Sequence, residues 1–456
     1  MTRKLTLLLA AVAFAAAVMA GCKRPVTDPD PEEETAELQP LQISVPMDPS
    51  RIFSETPTFV IRAENPNKKA VTADAKIRIV TDTRVEVETF TSSAEVAAAG
   101  TADIEMNPSK PLDPGFYRAS FFVNGKSAGG FVFGISPFDI VSAPDMQDDF
   151  EAFWTASKKQ LTDLDMNARL VEIPSRSSDA RKVYFVEFQS VPDGLTGDPV
   201  TVRGYYLEPM DGQKHPVLMH FFGYDEQKPS GKLSCPSGGS NAQFAEFYLS
   251  HRGQYINNRK ASQRSDGIDE DFTNIYGDWF AFHFGNRDGY YYRGAFLDCV
   301  QAIRFMATRP TSDMNNIFAE GSSQGGALSY AAAALSPYPL RAIAPCVAFL
   351  GDYPDYFRIV SWPGDVAKKN IGSMTDAEMY AFLSYFDTKN LATLIHCSVI
   401  ACSGLMDETC PPHTNTAPFN NLPVTDKEMY YYPKMKHEIP SGWDSKYMQF
   451  FKERIQ

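Results

Sequence analysis

A largely parallel sheet flanked by helices, preceded by a small all-β sandwich of immunoglobulin-like type, is the architecture this sequence predicts. Three observations carry it. Short alternating runs punctuated by turns fill residues 41–136, the texture of a sandwich. From residue 137 to 456 strand-like runs alternate with helical segments, the texture of a helix-covered sheet. Within that second stretch, the pentapeptide Gly321-Ser322-Ser323-Gln324-Gly325 stands between a buried-strand pattern and an alanine-rich helical one. The length of 456 residues allows two or three domains. An apolar fraction of 43% excludes a disordered chain, and seven cysteines are too few for a disulfide scaffold. A formal net charge of −13 leaves no basic footprint for nucleic acid.

Residues 1–21 read as an export leader: Arg3 and Lys4, an apolar stretch from Leu5 to Ala20, then small residues. The stretch is short for a membrane span. It stops at Met19-Ala20-Gly21-Cys22, the pattern of a bacterial lipoprotein signal, which makes Cys22 the expected lipidated first residue of the mature chain. The alternative is a plain signal peptide with Cys22 incidental. A lipoprotein signal predicts an exported protein anchored at the periplasmic face or cell surface. Residues 22–40 follow as a tether; from Lys23 to Pro40 there are four prolines and six acidic residues and almost nothing to bury. The other cysteines, Cys235, Cys299, Cys346, Cys397, Cys402 and Cys410, form no C-x-x-C pair and are expected as buried apolar residues.

In the sandwich, strands are expected at Leu41–Val45, Thr58–Arg62, Lys76–Val80, Val85–Phe90 and Thr101–Met106. The clearest unit is a hairpin: Tyr117, Ala119, Phe121 and Val123 share one face, and Asn124-Gly125 turns the chain toward Phe131–Phe133. Asn-Gly supplies the positive φ angles that a tight hairpin turn needs. No catalytic cluster stands in this region, so a spacer or interface role is expected ahead of carbohydrate binding.

The body opens with an amphipathic helix from near Met146, with Phe150, Phe153, Trp154 and Leu161 on one side. Strands are expected at Lys182–Phe188, Val202–Leu207 and Pro216–Phe222.

The glycine-serine pentapeptide fits G-x-S-x-G. Strand, sharp turn and helix are the setting of the nucleophile elbow of α/β-hydrolases, in which Ser323 is the middle position. A serine hydroxyl needs a base, and in this fold the order along the chain is serine, acid, histidine. Three histidines follow: His396 precedes a strand, His413 follows Pro411-Pro412, and His437 lies in a loop beyond the strand-like Met429–Tyr432. Loop placement favours His437. The acid belongs at the end of the strand Ser398–Ser403, where Gly404-Leu405-Met406-Asp407 is the exit turn, with Glu408 as the adjacent rival. Oxyanion donors are expected from the amide of Gln324 and from the loop after Pro216–Phe222. With neither an H-E-x-x-H motif nor clustered His/Cys spacing, no metal or other cofactor is called for.

Together these residues resemble carbohydrate esterase family seven, the acetyl xylan esterase and cephalosporin C deacetylase family, over Phe138–Gln456. The resemblance rests on Arg252-Gly253-Gln254, the GSSQG elbow and His437-Glu438, in that order, with Phe222-Gly223-Tyr224, Tyr290-Tyr291-Tyr292-Arg293 and Gly404-Leu405-Met406-Asp407 as further similar segments. It implies Ser323 as nucleophile, His437 as base, Asp407 as acid, the amides of Tyr224 and Gln324 as oxyanion donors, and supporting roles for Arg252, Gln254 and Glu438. Tyr290–Tyr292 read equally as pocket lining or as helix-entry packing. Family members are commonly single-domain and often hexameric. A tether and a sandwich would obstruct that assembly here, so a homo-oligomer is left open.

The resulting expectation is a serine esterase that removes acetyl groups from acetylated xylan or xylo-oligosaccharides, with the membrane reached through a lipid anchor. Its rivals are an α/β-hydrolase acting on another acyl ester or a peptide bond, and an inactive glycan-binding surface lipoprotein.

Overall fold

The computed structural model describes residues 38–224, 233–240, 242–254, 256 and 275–456. The leader, Cys22 and most of the tether lie outside the described residues, as do parts of Lys228–Phe247 and Asn257–Trp279.

Eight strands build the sandwich: β1 (Gln42–Ser44), β2 (Ile52–Phe53), β3 (Phe59–Glu64), β4 (Val71–Thr81), β5 (Glu86–Val96), β6 (Thr101–Met106), β7 (Gly115–Val123) and β8 (Lys126–Ile135). They form a three-stranded sheet in the order β1-β3-β6 and a five-stranded sheet in the order β2-β8-β7-β4-β5. Strands β4 and β5 are longer than the alternation suggested, and the two-residue β2 is too short to leave a periodic trace. The β7–β8 hairpin turns at Asn124 and Gly125, with φ of 47° and 74°, both in the left-handed region the sequence called for. Tyr117, Ala119, Phe121 and Val123 point inward with Phe59, Ile61, Ile77 and Phe133, filling the space between the sheets.

The opposite face of β7 is also covered. Phe116, 2% exposed, packs with Val132, Ile140 and Leu405, so the sandwich is docked on the body through a small apolar seam. Residues Leu41–Gln456 hold together as one compact unit.

The body is a nine-stranded sheet. Its strands are β9 (Arg169–Glu172), β10 (Arg181–Ser190), β11 (Val200–Pro209), β12 (His215–Phe221), β13 (Ala245–Ser250), β14 (Ser312–Ser322), β15 (Ala342–Cys346), β16 (Ser398–Gly404) and β17 (Lys427–Tyr432). The order is β17-β16-β15-β14-β12-β13-β11-β10-β9. From β13 to β17 neighbours run parallel, and β9, β10 and β11 pair antiparallel at one edge.

Helices described in the body are α1 (Phe150–Asp163), α2 (Tyr291–Ala307), α3 (Gln324–Leu335), α4 (Tyr353–Ile359), α5 (Gly364–Asn370), α6 (Asp376–Ser384), α7 (Thr388–Ala392), α8 (Pro412–Asn420) and α9 (Trp443–Lys452). Helix α1 starts at Phe150, four residues later than the pattern from Met146 suggested, with Asp149 at its N-cap. Its Phe150, Phe153, Trp154 and Leu161 are buried as expected. Strand β15 is buried at every residue, as a central parallel strand should be. Within the sheet, β13 lies on one side of β12 and β14 on the other, so the strand order reverses at β12. That reversal opens a crevice at the carboxyl ends of β12 and β14, the place where open α/β sheets bind ligands.

Candidate active site

Ser323 stands at that crevice, between the end of β14 and the first residue of α3. Its φ of 57° and ψ of −122° are sterically costly for a residue with a side chain. The turn is held by the Ser323 amide donating to the Cys346 carbonyl at 2.9 Å and by the Phe349 amide donating to the Ser323 carbonyl at 3.0 Å. The flanking glycines have no room for anything larger. A Cβ on Gly321 would lie 2.4 Å from the Gly325 carbonyl oxygen, and one on Gly325 would lie 2.2 Å from that of Phe221. The motif is thus a packing requirement: the elbow sits against the end of β12.

His437 Nε2 lies 2.9 Å from Ser323 Oγ, and its Nδ1 lies 2.8 Å from Asp407 Oδ2. The other carboxylate oxygen of Asp407 accepts the amides of Thr409 and Cys410, each at 2.8 Å. The Asp407 side chain is fully buried and that of His437 is 26% exposed. The acid is therefore fixed by three nitrogens around it, and the imidazole stands at the opening. The loops carrying them are tied together, since the Leu405 amide donates to Tyr432 and the Met406 amide to Met435, each at 3.0 Å. This chain of hydrogen bonds is the arrangement that lets an imidazole take a serine proton while a carboxylate holds its tautomer.

The rival residues are employed elsewhere. His396 is exposed ahead of β16. His413, on α8, meets Asp352 at 3.2 Å, Asp355 at 3.4 Å and Asp82 of the sandwich at 3.4 Å. Burial opposes its charge, but those carboxylates raise its pKa well above the ordinary value, so it is a charged strut. The trio Asp352, Asp355 and His413 has the spacing of a metal site, yet Asp352 is already paired with Lys389 at 3.0 Å. Glu408 is exposed and shared by Arg84 and Arg118 of the sandwich at 3.1 and 3.2 Å. Glu438 is exposed too, and its carboxylate meets the Lys436 amide at 3.4 Å rather than a group of the triad. Cys410 is buried, and burial pushes its thiol well up; it stays neutral and does not rival Ser323 as a nucleophile. All six cysteines in the described residues are buried and unbridged.

The amide of Gln324 opens α3, where helix geometry provides no internal acceptor. Tyr224 follows β12. Its hydroxyl donates to Asp278 at 3.0 Å, and its ring meets those of Trp279 at 5.1 Å and Trp362 at 5.6 Å. Gln254 is fully buried and donates to the Gly223 carbonyl at 3.3 Å, bracing the turn before Tyr224. Arg252 is 2% exposed and pairs with Asp298 through Nε at 2.9 Å and Nη2 at 2.7 Å. It also donates to Val191 O at 3.1 Å, tying this loop to α2 and to the end of β10.

Sequence reasoning missed His251 and the role of Tyr292. The Gln324 side chain accepts from the Tyr292 hydroxyl at 3.1 Å and sits 2.8 Å from His251 Nε2, while His251 Nδ1 is 2.9 Å from the Tyr291 hydroxyl. Tyr290, Tyr291 and Tyr292 are all buried at the start of α2, which decides for helix-entry packing over pocket lining. Only the polar residue beside Arg252-Gly253-Gln254 hinted at this network, and nothing local to it names its partners.

A doubly wound sheet with a serine on the elbow and an imidazole and a buried carboxylate lined up behind it defines a hydrolase of the α/β-hydrolase fold. Residues 141–454 match the family model of acetyl xylan esterase (AXE1), and the chain belongs to that family. It is a carboxylic ester hydrolase. It is 27% identical over 383 residues to the acetyl esterase Axe7A of Xylanibacter ruminicola, covering 80% of each chain. Acetyl xylan esterase 1 from Thermoanaerobacterium sp. superposes with a TM-score of 0.57 at 25% identity, over 70% of this chain and 98% of the other. The acetyl xylan esterase from Paenibacillus sp. R4 shares the fold with the same TM-score at 24% identity, over 70% and 98%.

Proposed function

We propose that this chain is a serine esterase that removes acetyl groups from acetylated xylan or xylo-oligosaccharides, with Ser323, His437 and Asp407 as its catalytic triad. The hydrogen-bond chain Ser323–His437–Asp407, at 2.9 and 2.8 Å, carries the reading. Ser323 Oγ attacks the acetyl carbonyl as His437 Nε2 takes its proton. Asp407 keeps the Nδ1 proton in place and balances the imidazolium. The negative charge that develops on the carbonyl oxygen is met by the amides of Tyr224 and Gln324, which need no reorganisation. His437 returns the proton to the departing sugar oxygen. Water then attacks the acetyl-enzyme by the same route in reverse, releasing acetate. Arg252 and Gln254 act from behind, by holding the loop that presents Tyr224.

The supporting matches are to acetyl esterases, and the 27% relative spans most of both chains. Acetate release from acetylated xylan, with Ser323→Ala as the control, tests the reading. Turnover of a chromogenic acetate by the pure variant would remove Ser323 from the mechanism. A series from acetyl to butyryl esters separates this assignment from a general acyl esterase, since a small acyl site favours acetyl.

We also read Cys22 as a lipid-bearing N-terminus that keeps the enzyme at a membrane face. No helix among the described residues is long and apolar enough to cross a membrane. Cys22→Ala should move the protein from the membrane fraction to the soluble one.

A further inference from the structure

A second feature of the site comes from the sandwich. The β4–β5 turn reaches the body with Arg84 near its tip, at a φ of 67°. Arg84 lines a cleft of about 350 Å³ together with Ser361, Trp362, Glu408 and Thr409. Two of the cleft's lining residues contact residues of the candidate active site. The Thr409 amide donates to Asp407, and Trp362 touches the ring of Tyr224 at 5.6 Å. The indole is locked by Phe349, stacked on it at 5.0 Å with 9° between the planes, and the Phe349 amide holds the Ser323 carbonyl.

The sandwich wall is not a loose flap. Phe116 packs on Leu405, and His413 bridges Asp82 to Asp352 and Asp355.

The lining chemistry is specific. An aromatic ring beside an arginine, a carboxylate and two hydroxyls offers a face for sugar C–H groups and both donors and acceptors for sugar hydroxyls. Arg84 and Arg118 both bond Glu408 through Oε1, leaving Oε2 without a partner among the described residues. Side-chain exposures of 52% for Arg84 and 67% for Glu408 make their ion pair a weak one, so hydroxyls can share these groups at little cost.

We propose that the sandwich completes the substrate site: Arg84, with Trp362, Glu408, Ser361 and Thr409, forms a subsite for a pyranose unit of the sugar chain neighbouring the acetylated one. This rests on the carbohydrate esterase reading and deepens it, because the sandwich then selects polymeric or oligomeric substrates over small acetates.

The test compares kcat/KM on an acetylated xylo-oligosaccharide with kcat/KM on 4-nitrophenyl acetate, for wild type, Arg84→Ala and Arg118→Ala. Arg84→Ala should lower the ratio of the two about tenfold, through a higher KM on the oligosaccharide. Arg118→Ala, which removes the other partner of Glu408 but does not line the cleft, should leave the ratio within twofold of wild type. An unchanged ratio in Arg84→Ala overturns the subsite, as does an equal fall in both variants, which would assign Arg84 to bracing Glu408 alone. Wild-type protein that cleaves the small ester and fails on the oligosaccharide overturns the carbohydrate reading beneath it.

Discussion

Gly325→Ala puts the architecture of the elbow to a quantitative test. The new methyl would lie 2.2 Å from the Phe221 carbonyl oxygen, 2.7 Å from the Phe221 carbonyl carbon and 3.2 Å from that of Phe222. Carbon and carbonyl oxygen ordinarily meet at about 3.3–3.6 Å, so the first contact is short by roughly 1 Å. Every atom met is backbone, and no rotamer relieves it. Either the start of α3 or the segment Phe221–Tyr224 has to shift by that amount. The first shift pulls Ser323 from His437, and the second pulls the Tyr224 amide from the Gln324 amide. A displacement of ~1 Å at a positioned group costs on the order of 100-fold in rate. Overpacking adds about 1–3 kcal/mol of destabilisation. Initial rates on a chromogenic acetate, with circular dichroism and a thermal melt on the same sample, read both effects. Gly372→Ala is the control: at a φ of 61° with nothing within 4 Å of a Cβ, it should lose about 1 kcal/mol of stability and keep its kcat. Folded Gly325→Ala with kcat within twofold of wild type would refute the packing argument.

Three further outcomes are expected. Asp407→Asn keeps the shape of the acid but not its charge, and should lower kcat by roughly 10³–10⁴ with little change in KM; a loss under tenfold would take Asp407 out of the triad. Asp298→Asn leaves Arg252 as a charge buried without its counter-ion, at a cost of about 3–5 kcal/mol in urea unfolding, and a loss below 1 kcal/mol would mean that the pair carries little. Burial opposes the charge on His413, but Asp352, Asp355 and Asp82 raise its pKa well above 6.5. The stabilisation it gives is therefore complete below about pH 6.5 and is lost as pH climbs through the raised folded-state value. The stability gap between wild type and His413→Gln should be widest near pH 6 and narrow on the alkaline side; a gap that widens with rising pH would reverse the sign.

Much of the site was legible because its constraints are local. A G-x-S-x-G turn is dictated by backbone contacts within a few residues, and the order of serine, acid and histidine follows the order of the strands. Asp407 and His437 could be read because each leaves a strand end, at β16 and β17. The hairpin at Asn124-Gly125 was equally local. The start of α1 was misjudged by four residues because the apolar repeat continues through Met146 while the backbone enters the helix only after Asp149.

By itself, then, the sequence determined the two architectures, the elbow, and the three side chains that meet above it. These follow from short-range sterics and hydrophobic period, which neighbouring residues express directly. Only the tertiary structure decided that Phe116 faces out of the sandwich to seal against Leu405, that Arg84 reaches Glu408, and that Gln324 is held by Tyr292 and His251. Those partners lie 32 to 324 residues apart along the chain. Their meeting depends on how two finished bodies dock and how helix α2 lies across the sheet, and no local pattern in the chain encodes that.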